Sequence, residues 1–242
     1  MQAVFAAQTD IGRKRAANED FYAIDEGSRL FVVADGLGGH VAGRVASETA
    51  VSQFVAHVRH AAPTSAGGPL ACVRDAMRSA NHAILDKVSE TPCLQGMGTT
   101  LAAVWLREER AIFGHVGDSR IYLLRDDTLF PLTIDHSYVC ELVFRRKLSE
   151  DAARTHPNRH VIMRALGVSP PCEPDVGALG LQPRDVLALC TDGLTGAIPD
   201  DELSEMLQRG RQDLTRTAGA LIDCANARGG YDNATVVLLR VS

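Results

Sequence analysis

The chain of 242 residues sets 25 Lys and Arg against 30 Asp and Glu, a formal charge of −5, and is 45% hydrophobic but only 5% aromatic. That hydrophobic content excludes a disordered chain, and the length suits one sizeable domain, taken as residues 1–242. An acidic chain without a Lys/Arg stripe, and with few rings to stack on bases, is a poor partner for nucleic acid or an anionic membrane.

In chain order, the opening MQAVFAAQTDIGRKR places its basic residues after a short apolar stretch, the reverse of a secretory signal. No run approaches eighteen apolar residues, so a cytoplasmic protein without a membrane segment is expected. Val4–Gln8 reads as a first strand, followed by Arg13-Lys14-Arg15 and then Asn18-Glu19-Asp20. Leu30–Ala34 is apolar throughout, as a strand covered on both faces would be, and runs into Asp35-Gly36. Val51, Phe54, Val55 and Val58, then Leu70, Val73, Met77, Ala80, Ile84 and Val88, recur at steps of three and four. With the Pro- and Gly-containing stretch 61–69 between them, they predict an antiparallel helix pair.

Three β-rich runs follow with very short connections, Thr100–Leu106, Ala111–Val116 and Arg120–Arg125, and predict an antiparallel meander with Asp118 in its second turn. Residues 137–166 are less periodic and predict an irregular flap. His156 and His160 stand four apart there, but Pro157 disfavours a helix that would aim both at one zinc ion. Val186–Cys190 leads through Thr191 to Asp192-Gly193. Pro199 with Asp200, Asp201 and Glu202 predicts a helix start with Pro in its first turn, and Leu214, Ala218, Leu221, Ile222 and Ala225 outline another helix. A last strand, Thr235–Val241, follows Asp232-Asn233. Strands at both ends and in the middle, with helices grouped between them, predict an α+β fold in which helices cover a sheet sandwich. The six cysteines (72, 93, 140, 172, 190 and 224) form no C-x-x-C pair, so neither a zinc site nor a disulfide framework is expected.

Four times an aspartate stands at the mouth of an apolar run: Asp35, Asp118, Asp192 and Asp232. One Asp-Gly is an ordinary turn. As a set, such carboxylates would repel one another unless cations neutralised them, and cations that prefer oxygen alone are hard ones such as Mg²⁺, Mn²⁺ or Ca²⁺. Two such ions can activate a water and clamp a phosphoryl oxygen, so no protein nucleophile is required. Arg15 could grip the phosphate, with Glu19 and Asp20 suited to holding metal-bound waters.

Taken in series, Thr9-Asp10-Ile11-Gly12, Arg15 with Asn18-Glu19-Asp20, Val33-Ala34-Asp35-Gly36-Leu37-Gly38-Gly39-His40, Gly96-Met97-Gly98-Thr99-Thr100, Gly114-His115-Val116-Gly117-Asp118-Ser119-Arg120, Thr191-Asp192-Gly193 and Asp232-Asn233-Ala234-Thr235-Val236 resemble the motifs of the metal-dependent protein phosphatases of type 2C, in bacterial form. The resemblance spans nearly the whole chain. It implies a four-layer αββα fold, a central β-sandwich of two antiparallel sheets flanked by helix pairs. It implies two Mg²⁺ or Mn²⁺ ions, with Asp35 bridging them, Gly36 offering its carbonyl, and Asp192 and Asp232 completing the pair. Asp118 would help hold a third ion, Arg15 would take phosphate, and segment 137–166 would be the flap beside the site. The substrates implied are phosphoserine and phosphothreonine proteins of a Ser/Thr kinase pathway.

Two departures from the pattern stand out. Some members carry a histidine acid directly after the first Asp-Gly; here that residue is Leu37, and His40 is the substitute candidate. Arg44 stands where related sequences often have an acid. The rival readings are a pseudophosphatase that only binds phosphoproteins and a hydrolase of small phosphorylated metabolites.

Overall fold

The computed structural model describes residues 2–39, 41–61, 67–169 and 171–242. Its strands are β1 (Ala3–Asp10), β2 (Phe21–Asp25), β3 (Leu30–Ala34), β4 (Gly36–Leu37), β5 (Gly98–Thr99), β6 (Leu101–Arg107), β7 (Arg110–Val116), β8 (Arg120–Arg125), β9 (Thr128–Pro131), β10 (Asp175–Gly180), β11 (Val186–Cys190) and β12 (Ala234–Val241). The helices are α1 (Val41–Ala61), α2 (Gly68–Glu90), α3 (Tyr138–Phe144), α4 (Glu150–Arg154), α5 (Asp192–Thr195), α6 (Asp200–Gly210) and α7 (Leu214–Ala227). One sheet has the order β1-β12-β11-β8-β9, the other β10-β7-β6-β3-β2, and every pairing in both is antiparallel.

The apolar runs are explained by three stacked cores. Phe31 and Val33 point inward with Ala102, Val104, Ile121, Leu187, Leu189, Val237 and Leu239, and fill the space between the sheets. Their neighbours Leu30, Val32 and Ala34 face outward beneath Phe54 and Val58 of α1 and Met77 and Ile84 of α2. On the opposite side Ala188, Cys190, Val236 and Leu238 lie beneath Leu203 and Leu207 of α6 and Leu214 and Leu221 of α7. Both faces of each central strand are therefore dry, which is why these strands lack alternation. Each fully buried Leu, Ile, Val, Phe or Met side chain contributes roughly 1.5–3 kcal/mol relative to exposure. The αββα layering expected from the sequence is present, as is the antiparallel packing of α1 on α2.

Three local expectations change. The predicted meander is not one: β6 and β7 pair, but β8 belongs to the other sheet, so the chain crosses the sandwich at Gly117–Ser119. Apolar runs covered on both faces carry no mark of which sheet they join. Pro199 is the residue before α6 rather than in its first turn, with φ −62° and ψ 154°, and the acids at 200–202 do occupy that turn. Residues 137–166, expected to be irregular, contain the two short helices α3 and α4, capped by the hydroxyls of Ser137 and Ser149. No helix among the described residues is long and apolar enough to cross a membrane.

Candidate metal centre

Sheet register brings the acids to one edge. Phe21 is opposite Ala34, Arg120 opposite Cys190 and Asp10 opposite Ala234. Asp20, Asp35, Asp118, Asp192 and Asp232, each one or two residues beyond one of these positions, therefore emerge together. Asp192 opens α5 after Thr191.

The carboxylates feel one another through a low-dielectric setting. Burial, then the charges of Asp20, Asp192 and Asp118, hold Asp35 well above the usual carboxylate range. Burial pushes Asp20 up to about 7, assisted by Asp192 and Asp232, against hydrogen bonds from Thr235 and Thr191. Burial and the charges of Asp192 and Asp135 push Asp118 up to about 8. Asp192 is likewise raised, by burial and Asp232, and lies within hydrogen-bonding reach of Asp35. Asp20 and Asp118 are buried, while Asp35 and Asp192 keep a partly exposed face.

One oxygen each of Asp20, Asp118 and Asp192 is buried with no hydrogen-bond donor. An unpaired buried anion is costly, and several sharing one site cannot all ionise without a counter-charge. The donors are all oxygen, with no thiolate or imidazole among the five acids, which fits a hard divalent ion such as Mg²⁺ or Mn²⁺.

A polar web holds these groups. Thr191 and Thr235 donate to Asp20 Oδ2 at 2.8 and 2.6 Å. Thr100 Oγ1 accepts from the Asp35 N–H at 2.9 Å, and Thr99 Oγ1 donates to the Asp35 carbonyl at 2.8 Å. Asn233 takes the Glu19 N–H on its Oδ1 at 2.8 Å and donates to the carbonyls of Ile11 and Ala17 at 2.9 and 3.0 Å, tying the Arg15 loop to β12. At Gly43 any Cβ would stand 1.9 Å from Glu19 Oε2 and 2.9 Å from the Gly36 carbonyl oxygen. A side chain there would displace the Glu19 carboxylate and press on the Gly36 carbonyl.

Arg15 Nη2 donates to Asp232 Oδ2 at 2.6 Å, and Asp232 Oδ1 accepts the Asn233 N–H at 2.8 Å. Arg15 also feels Asp35 and Glu19. The structure thus gathers Arg15, Glu19, Asp20, Asp35, Gly36, Asp118, Asp192 and Asp232. His40 lies outside the described residues. His160, set aside as half of an unpromising zinc pair, is near enough for its charge to lower the Asp192 pKa. The threonines, Asn233 and Gly43 escaped the sequence reading as supports; a Thr beside an Asp at a strand mouth (Thr191 before Asp192) was the available signal.

A model of the protein phosphatase 2C family matches residues 9–235. The serine/threonine phosphatase Stp of Listeria welshimeri is 39% identical over 236 residues, which cover 96% of this chain and 93% of that protein. The crystal structure of the Mycobacterium tuberculosis serine/threonine phosphatase PstP/Ppp superposes with a TM-score of 0.89 at 38% identity, covering 99% of both chains. The catalytic domain of PstP in complex with two manganese ions superposes with a TM-score of 0.86 at 38% identity, again over 99% of both. The helix-flanked double sheet is thus of phosphatase type. This chain belongs to the protein phosphatase 2C family and is an enzyme of phosphoester hydrolysis.

Proposed function

We propose that the chain, as one catalytic domain, hydrolyses phosphoserine and phosphothreonine in cytoplasmic proteins, opposing Ser/Thr kinases, with divalent ions on Asp35, Asp192 and Asp232. The observation that carries this reading is the set of buried carboxylate oxygens without donors at Asp20, Asp118 and Asp192, on the edge that presents Arg15. Asp35 would bridge two ions, with Gly36 adding its carbonyl; Asp118 would serve a third ion, and Glu19 and Asp20 would act through water. When bound, Mg²⁺ or Mn²⁺ lowers the pKa of a water enough for direct attack on phosphorus and offsets charge on the phosphoryl oxygens.

The chain's own groups do the rest. Arg15 is 48% exposed and keeps N–H groups beyond its bond to Asp232, so it can hold phosphate bidentately. Thr191, Thr235 and Thr100 lock Asp20 and Asp35 in place, which preorganises the site. Leu37 has no proton to give the departing serine or threonine oxygen. His40 remains the candidate donor, and His160, on segment 137–166 and within electrostatic reach of Asp192, is a second candidate. A module that merely binds phosphoproteins is not favoured, because every carboxylate the chemistry needs is present and gathered.

The test is turnover of phosphoserine, phosphothreonine and phosphotyrosine peptides with Mn²⁺ and after chelation. Metal-dependent release from the first two is expected. Equal turnover after chelation would overturn the reading, and Mn²⁺ binding without any turnover would restore the binding module.

A further inference from the structure

Gly117, the residue before Asp118, has φ +102°, and a Cβ there would lie 2.5 Å from Thr100 Cγ2. His136, at the root of the flap, holds it twice. The Gly117 N–H donates to His136 Nδ1 at 3.1 Å, and the Gly117 carbonyl accepts the His136 N–H at 2.9 Å. Because Nδ1 accepts, the ring proton sits on Nε2, facing Asp175 Oδ2 at 3.3 Å. The ring is stacked on His115, centroids 4.5 Å apart and planes 22° apart, and His115 Nε2 donates to the Ile134 carbonyl at 2.9 Å. Arg164 spends its Nη1 hydrogens on Asp175 Oδ1 and the Glu173 carbonyl, fixing the acid behind the ring. On the far side of Asp118, Arg120 is clamped bidentately by Asp135, the neighbour of His136, at 2.8 and 2.7 Å.

We propose that His136 is a positioning residue for Asp118: without touching that carboxylate, it fixes the backbone that aims it into the metal cluster. The proposal rests on Asp118 being a metal ligand. Ligand atoms of His115, His136 and Asp175 lie within 4.8 Å of one another, close enough to suggest a separate metal site. Geometry opposes that alternative. Nearly parallel rings point their lone pairs side by side rather than at one ion, and the Arg164 guanidinium stands 3.1 Å from His136 Nε2.

The experiment is a calorimetric Mn²⁺ titration of the full chain, comparing wild type with Asp118→Asn, His136→Ala and His136→Asn. Asp118→Asn is expected to remove the weakest binding step. His136→Ala should weaken that same step about tenfold while leaving the tighter steps alone, in line with the cost of losing a group that orients a ligand. His136→Asn, whose amide oxygen can take the Gly117 N–H, should restore most of it. If His136→Ala does not fold, His136→Gln, which misplaces the acceptor, carries the same expectation. An unchanged His136 isotherm beside a lost step in Asp118→Asn overturns the proposal, as does an equal weakening of all steps. An unchanged Asp118→Asn isotherm overturns the ligand reading of Asp118 and the His136 proposal with it.

Discussion

The two ends of the sandwich treat aspartate oppositely. At the far end, Arg59 donates to Asp25 at 2.6 Å and holds its carboxyl down at about 2. There too, Asp185 takes both arms of Arg125, at 2.9 and 2.5 Å, and the Gln182 N–H at 2.8 Å. At the near end, five aspartates face one another, and burial carries Asp20 up to about 7 and Asp118 to about 8. The same side chain is a stabilising partner at one end and a source of repulsion at the other. A protein keeps such repulsion where function needs it, and here the need is for cation affinity.

The comparison can be broken most directly at Asp192. Asp192→Asn should lower turnover of a phosphopeptide about 10³-fold or more, since transition-state stabilisation of this kind is worth roughly 4 kcal/mol. The same variant, freed of metal, should melt higher than wild type in calorimetry, because one like charge has gone from the cluster. A lower Tm would show that the acids are not in conflict. Arg15→Ala should cost about 10²-fold in kcat/KM, much of it in KM, read from steady-state kinetics.

The pH dependence separates the two ends further. Above the ordinary value of 3.8, the unfolded chain has released protons that Asp20 and Asp118 still hold when folded. Stability of the metal-free protein should therefore fall as pH rises from about 4 to about 8 and level off beyond. Saturating Mn²⁺ should flatten or reverse that slope, with protons released on binding. A metal-free Tm that climbs between pH 5 and 8 would contradict the raised values.

At the far end, Asp185→Ala should cost about 2 kcal/mol in urea unfolding, by leaving the Gln182 N–H without an acceptor and Arg125 with only the Gly180 carbonyl, yet leave phosphopeptide turnover untouched. The smallest effect is expected at the flap: His160→Gln should slow release from phosphoserine a fewfold, roughly 1 kcal/mol, yet not from an aryl phosphate whose leaving group needs no proton. Equal slowing of both substrates would remove His160 from proton donation.

Much of the fold was legible because the central strands are dry on both faces and read as unbroken apolar runs. The edge strands were not. β2 is only half-buried along its length, β9 is largely exposed and ends in Pro131, and β10 carries two glycines, so none shows the pattern of a covered strand. The crossing at Gly117–Ser119 was hidden because a two-sheet corner and a hairpin have the same local sequence demands.

By itself, the sequence determined that carboxylates end the buried strands, that helices come in pairs to cover them, and that the serial motifs are those of a type 2C phosphatase. The first two are local facts of periodicity and spacing, and the third is a resemblance carried by the motifs in series. Only the tertiary structure decided that Thr191 and Thr235 hold Asp20 across 171 and 215 residues of chain, and that His136 grips the residue before Asp118. It also decided that Asp20, Asp35, Asp118 and Asp192 are raised while Asp25 is lowered. Coulomb energy, desolvation and hydrogen bonding depend on separation in space, and sheet register sets that separation for residues far apart in the chain.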